Sequence, residues 1–214
     1  MPAHPADSAL YRHLFGDEDS QRLFSDSAEI RAMLLVEGAL AQVQGTLGLI
    51  PAESGALVEA FRDACKAPEH AQWAHWGATS QDIQDSALAL RLGSLLALWD
   101  RRLAATLDAL ATLAEAHAET PMAARTYGQV ATPGSFGALV ALWGQPLIGH
   151  RRALDALRPQ LLAVQLAGAA GTLSAMGPEG PAVRAGLAAA LDLADPGMGW
   201  HADRSRIGAL AGWT

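Results

Sequence analysis

The 214-residue chain has one cysteine, Cys65, so it holds no internal disulfide and no zinc site built from several thiolates. That scarcity fits a reducing cytoplasm. Basic residues are also few: 15 Lys plus Arg against 22 Asp plus Glu, for a formal net charge of -7. Such a balance supplies no positive field to hold DNA or RNA, so no nucleic-acid partner is expected. It leaves room for a small anionic substrate, because a few Arg side chains and helix N-termini can bind carboxylates whatever the global charge. Long hydrophobic runs are missing too. The longest, around Phe136 to Ile148, is interrupted by Gly144, Gln145 and Pro146 and falls short of the roughly 18 residues of a membrane span. The opening MPAHPADSALYRH has no basic segment followed by an apolar run, so neither a secretory signal nor a membrane partner is expected.

What the sequence does have is helix-forming residues in helical spacing. Half the chain is hydrophobic, Ala and Leu recur at intervals of three and four, and strand-like Val/Ile alternation is scarce, which predicts an all-α fold. A first helix is expected over Ser27 to Gly48, with cap candidates at Ser25, Asp26 and Ser27 and a stop at Gly48 and Pro51. A shorter one follows from about Glu53 to Ala64, then a loop rich in His, Trp and Gly to Ala78. From Gln81 the chain can stay helical to about Glu119. A helix of that length buries an apolar face only against similar partners, so a bundle and a homo-oligomer are expected. Thr120-Pro121 ends it, and a second loop runs to Pro133-Gly134. A helix from about Ser135 to Leu166, kinked at Pro146, a Gly-rich loop from Gly168 to Gly180 and a helix from Pro181 to Leu193 complete the pattern. The expected division is an N-terminal helical domain at 1–105 and a central helical bundle at 106–214. The latter is incomplete at its end, since Ala202 to Trp213 opens another helical pattern just before Thr214.

Four segments carry candidate chemistry. His75-Trp76-Gly77-Ala78-Thr79-Ser80-Gln81-Asp82 reads first as a helix start, with Thr79 or Ser80 capping and Asp82 complementing the dipole. The same exposed N–H groups and hydroxyls form a carboxylate site, beside which His75 can donate a proton. Arg125-Thr126-Tyr127-Gly128-Gln129-Val130-Ala131-Thr132-Pro133 reads on its own as a connection with a surface Arg. Gly168 to Gly177 is rich in small residues that serve turns and close packing, with Thr172 and Ser174 able to hydrogen-bond a carboxylate. In Trp200-His201-Ala202-Asp203-Arg204-Ser205-Arg206 the arginines are either surface groups paired with Asp203 or, for Arg204, a bidentate carboxylate ligand.

Taken together these segments resemble the conserved stretches of the fumarase/adenylosuccinate lyase superfamily. H-W-G-A-T-S-Q-D is similar to its first stretch in the muconate cycloisomerase branch, and R-T-Y-G-Q-V-A-T-P to its R-T-H-G-Q-x-A-x-P stretch. The segment at Gly168 is similar to its G-A-x-G-T stretch, and W-H-A-D-R-S-R to a W-H-x-x-R-D-R stretch in which Ser205 replaces Asp. The resemblance implies catalytic positions for His75, Thr79 and Ser80 and substrate-binding positions for Arg125, Thr126, Tyr127, Gln129, Gly171, Thr172, Ser174, His201 and Arg204. Tyr127 stands where the adenylosuccinate and argininosuccinate lyases place a catalytic His. A phenol of ordinary pKa near 10 is a poor acid/base at neutral pH, so this departure favours the cycloisomerase branch.

The activity so implied is cyclisation of 3-carboxy-cis,cis-muconate to a carboxymuconolactone in protocatechuate degradation (the beta-ketoadipate pathway). It needs no metal or organic cofactor and takes place in a tetramer whose sites draw on three subunits. His70 and His75 lack a carboxylate or thiolate at ligand spacing, so no metal site is expected. The superfamily's G-S-S-x-M-P-x-K-x-N-P loop is not in the chain. The sequence is therefore expected to be either a fragment, inactive alone, or a natural truncation. The general acid is either His75 or the Ser of that loop. Alternatives are another lyase of the superfamily releasing fumarate, or a noncatalytic helical assembly module.

Overall fold

The computed structural model describes residues 14, 16–55, 70 and 72–214; Cys65 and most of the helix expected at Glu53 to Ala64 lie outside the described residues. Among the described residues the architecture is helical, with a single small hairpin. In chain order it comprises α1 (Glu18–Leu23), α2 (Asp26–Thr46), α3 (Ala52–Gly55), α4 (Ser80–Ala116), β1 (Pro121–Thr126), β2 (Gln129–Ser135), α5 (Phe136–Leu161), a 3-10 helix (Ser174–Glu179), α6 (Gly180–Ala190) and α7 (Ser205–Trp213). The all-α expectation holds. By compactness the chain forms two units, one of residues 1–95 and 159–208, the other of 96–158 and 209–214.

In the first unit α2 starts where Ser25 Oγ accepts the Ala28 N–H, satisfying one of the donors a helix start leaves free. Ala32, Val36, Ala39 and Leu40 recur at helical spacing and are buried. They meet Ile83 and Ala87 of α4, Val164, Leu166 and Met176, and Val183 and Leu187 of α6 in one hydrophobic core. Each fully buried Val or Leu of this set contributes about 1.5–3 kcal/mol. Two glycines set how closely the elements approach. A Cβ at Gly186 of α6 would stand 2.6 Å from Val43 Cγ1 of α2, and one at Gly180 would stand 2.8 Å from Leu173 Cβ.

The connection at residues 121–135, expected to be a loop, is an antiparallel hairpin. Its turn residues Tyr127 and Gly128 both have positive φ, 46° and 76°, the geometry of a two-residue turn whose twist suits paired strands. Thr126 pairs with Gln129 and Arg125 with Val130, with a bulge between Ala123 and Arg125. The loop expectation failed because Pro and Gly dominated the reading; Pro121 and Pro133 lie in a two-stranded sheet, where an edge tolerates a missing N–H.

Three further limits moved. α4 ends at Ala116 rather than Glu119, and α5 ends at Leu161 rather than Leu166. Beyond Leu161 the backbone turns to partners outside its own helix: Val164 N–H donates to Ala194 O, and Gln165 N–H donates to Ser86 Oγ. The expected Gly-rich loop contains the 3-10 helix Ser174–Glu179. α5 continues through Pro146. Where α5 passes α4 in the second unit, a Cβ at Gly137 would lie 2.3 Å from Ala114 O. Near the end of α7, Trp213 stacks on Trp99 at 5.3 Å between centroids and donates from Nε1 to His150 O.

Candidate active site

The first unit gathers three of the four candidate segments around the start of α4. Thr79 precedes the helix, and its N–H donates to Asp82 Oδ2 at 3.0 Å while its carbonyl accepts the Asp82 N–H. This is the reciprocal arrangement by which an acidic side chain in the first turn ties down the residue before the helix. Asp82 does more than cap. Fully buried, it also accepts from Gln165 Nε2, Ala167 N–H and Gly168 N–H at 2.9–3.0 Å. Four donors thus converge on one carboxylate and bind the Gly-rich segment to the helix start. Burial of a charge is tolerated only with such satisfaction.

Gln165 extends the network. Its Oε1 accepts the Trp200 N–H at 2.6 Å, and its Nε2 lies 3.5 Å from His201 Nδ1. Ser86 Oγ donates to Gln165 O, and Trp200 Nε1 donates to Val164 O. Close approach is required at two glycines here. Gly77 and Gly168 both have positive φ; a Cβ at Gly168 would be 3.1 Å from Gly77 O, and one at Gly77 would be 3.0 Å from the Met176 side chain. His201 covers Gly171, whose added Cβ would be 3.1 Å from the ring.

Arg204 is placed by Asp85. Its Nη1 and Nη2 donate to the two Asp85 carboxylate oxygens at 2.6 and 3.0 Å, and the hydrogen bond to Asp85 raises the guanidinium's pKa above its usual value, against burial. Asp85 is buried whereas Arg204 is partly exposed. The carboxylate that holds Arg204 thus comes from α4. Asp203, the alternative partner considered for the arginines, accepts from Ser205 at the start of α7, and this bonding holds its carboxyl below the usual range. Arg204 and Arg206 both lie against the Trp200 ring, at 5.2 and 4.5 Å from its centroid.

His75 sits on the neighbouring face. Its Nδ1 is 2.6 Å from Glu37 Oε1, and its backbone is left-handed with φ 61°. Glu37, His75, Ser80 and Gln84 line a cleft of about 350 Å³ whose apolar wall is Ile30, Met33, Leu34 and Ile83. Thr172 and Ser174 are exposed on the Gly-rich segment.

The second segment lies in the other unit. Arg125, Thr126 and Gln129 are exposed on the hairpin, and Tyr127 is fully exposed at its tip. The structure therefore brings together His75, Thr79, Ser80, Gly171, Thr172, Ser174, His201 and Arg204 within one unit, and presents Arg125, Thr126, Tyr127 and Gln129 on another. Among the described residues no three His, Cys, Asp or Glu side chains gather as metal ligands, and no helix is long and apolar enough to cross a membrane.

Sequence reading missed Asp85 and Gln165 and gave Asp82 only a capping role. A usable signal existed on α4: Asp82, Asp85 and Ser86 share one helical face at spacings of three and four, and polar groups on an otherwise apolar face need buried partners. Gln165 carried no such signal.

Comparison with known proteins agrees with this geometry. A family model described as a lyase matches residues 26–205. The chain is 37% identical over 232 residues to a 3-carboxy-cis,cis-muconate cycloisomerase of Pseudomonas aeruginosa, covering 92% of this chain and 50% of that protein. It is 29% identical to an N-acetyl-S-(2-succino)cysteine lyase of Enterococcus italicus, covering 99% of this chain and 52% of that one. The crystal structure of 3-carboxy-cis,cis-muconate lactonizing enzyme from Pseudomonas putida superposes with a TM-score of 0.89 at 32% identity, over 96% of this chain and 54% of that one. The chain spans about half the length of the relatives it matches. With its helical fold, its four motif segments and a family match across most of its length, the chain belongs to the lyase family, within the fumarase superfamily that its motifs resemble.

Proposed function

We propose that this chain supplies part of the active site of a 3-carboxy-cis,cis-muconate cycloisomerase. The observation that carries the reading is its 37% identity to a relative of that name. The departure at Tyr127, where the eliminating lyases place His, supports the same branch. In the reaction a substrate carboxylate oxygen adds to a carbon of a conjugated double bond. The π electrons move toward another carboxylate, and the resulting enolate-like dianion takes a proton at the adjacent carbon. The enzyme's task is to offer donors where charge accumulates in a site that excludes water. Thr79 and Ser80 at the α4 N-terminus, the Gly168–Ser174 segment and Arg125 are of the types required, and His75 is the candidate acid within this chain. Arg204 acts through Asp85 and α4, or turns one N–H to substrate.

The proposal extends to the whole enzyme: a cytoplasmic tetramer in protocatechuate catabolism, working without metal or organic cofactor, in which the hairpin residues 125–129 join a site with residues of other subunits. A second reading, elimination from a succinyl adduct, is favoured by the N-acetyl-S-(2-succino)cysteine lyase likeness. The test is a spectrophotometric assay following loss of diene absorbance from 3-carboxy-cis,cis-muconate. It is run on this chain and on the product of the same reading frame continued to its stop codon. Turnover by the continued protein supports the cycloisomerase; fumarate release from a succinyl thioether without diene loss supports the lyase.

A further inference from the structure

We propose that Glu37 is the positioning residue of His75: its carboxylate holds the ring in the Nδ1–H tautomer and leaves Nε2 to meet a ligand carboxylate or exchange a proton in the cleft. This deepens the proposed function and rests on it only for the identity of that ligand.

The argument starts with α2. Glu37 and Gln44 are seven residues apart, two turns of one helix face, and both reach residues 75–76. Glu37 Oε1 meets His75 Nδ1 at 2.6 Å, and Gln44 Nε2 donates to Trp76 O at 2.9 Å. One helix face therefore grips the segment at two successive residues. The grip has something to hold, since His75 occupies the left-handed region at φ 61°, which an L-residue adopts at a cost of about 1 kcal/mol or more unless its surroundings fix it.

Chemistry then fixes the proton. An ionised carboxylate only accepts hydrogen bonds, so the neutral ring beside Glu37 must carry its hydrogen on Nδ1. Nε2 then offers a lone pair when the ring is neutral and an N–H when it is cationic, with the Glu37 charge offsetting the imidazolium. The exposures fit this division of labour: the His75 side chain is 40% exposed on the cleft, while that of Glu37 is 14% exposed. Glu37 Oε2 is buried with no hydrogen-bond partner among the described residues, so the Oε1 contact to His75 is the bond that the carboxylate makes there. Ser80 and Gln84 are the other polar groups of the cleft, which places the α4 N-terminus and its first hydroxyl beside the ring.

The test reads the tautomer directly, by nitrogen-15 correlation spectra of the His75 ring in this chain without substrate. With the spectra recorded at a pH raised until the ring loses one proton, the expected result is that the remaining proton sits on Nδ1, shifting toward Nε2 in Glu37→Ala or, should that variant not fold by circular dichroism, in the volume-conserving Glu37→Met. A wild-type ring protonated at Nε2, or a tautomer unmoved in a folded variant, overturns the proposal. In the continued protein Glu37→Ala is expected to lower kcat for 3-carboxy-cis,cis-muconate about 10–100-fold, as loss of a ligand-orienting carboxylate typically does. Absence of turnover by the wild-type enzyme sinks the cycloisomerase reading alone, because the tautomer measurement stands without any substrate.

Discussion

Residues 75–82 and 125–133 both carry motif resemblance, but the two regions are built in opposite ways. The first is woven inward: Asp82 is fully buried and takes four hydrogen bonds, one from Thr79 and three from residues 165–168. The second is turned outward, a hairpin with Arg125, Thr126 and Gln129 exposed and Tyr127 at its tip. Side chains in the first region hold their own unit together, whereas Tyr127 at the tip is fully exposed. Motif resemblance alone does not separate a frame from a probe; burial and hydrogen bonding do.

The sharpest test of that contrast is Asp82→Ala. It strands the Gln165 amide and three backbone N–H groups, so a loss of about 3–5 kcal/mol is expected in urea unfolding, enough to unfold a marginal domain. A loss below about 1 kcal/mol would break the comparison. Next comes Gly137→Ala, which asks whether the second unit is tight at the hairpin's root. The added methyl meets Ala114 O, and destabilisation of about 1–3 kcal/mol is expected by the same measurement.

Asp195 offers a pH test within the first unit. Burial pushes its carboxyl up, but the Arg184 side chain and the Gly197 N–H outweigh this and leave it below the usual range. A depressed folded pKa means the stabilisation is fully present above the unfolded value of about 3.9 and is lost as pH falls through the folded value. Asp195→Asn should therefore lower stability at pH 7 by under about 2 kcal/mol and flatten the fall in stability on acidification below about pH 4. The smallest effect belongs to the hairpin tip: Arg125→Ala and Tyr127→Ala are expected to change unfolding free energy by less than about 0.5 kcal/mol. In the continued protein the same substitutions should reduce kcat/KM, the expected signature of residues spent on ligand alone.

The elements were legible wherever helical periodicity ran unbroken. α2 and α4 lie within a few residues of their expected limits, because Ser25 caps α2 through its hydroxyl, Asp82 ties Thr79 to the head of α4 and the apolar spacing repeats. The hairpin was not legible. Its positive-φ pair is Tyr-Gly rather than Asn-Gly, and its strands are mostly exposed, so neither turn chemistry nor alternation announced it. For the candidate site, motif likeness nominated residues but gave no sign of their partners. Asp85 for Arg204, Glu37 for His75 and Gln165 for Asp82 are separated from them by 119, 38 and 83 residues, and nothing in local spacing encodes contacts across such intervals. The irregular course after Leu161 follows from the same long-range bonds, which replace the helix that composition alone would continue.

The separation of 83 residues between Asp82 and Gln165 also sets an order of events during synthesis. At roughly 5–20 residues per second, the ribosome needs about 4–17 seconds after adding Asp82 before it adds Gln165. Throughout that interval the Asp82 carboxylate lacks three of its four donors. The hairpin, whose strands are joined by two residues, can close in microseconds once it emerges. The hairpin thus needs no residue beyond Ser135, whereas the frame around Asp82 cannot close until Gln165, Ala167 and Gly168 have been made.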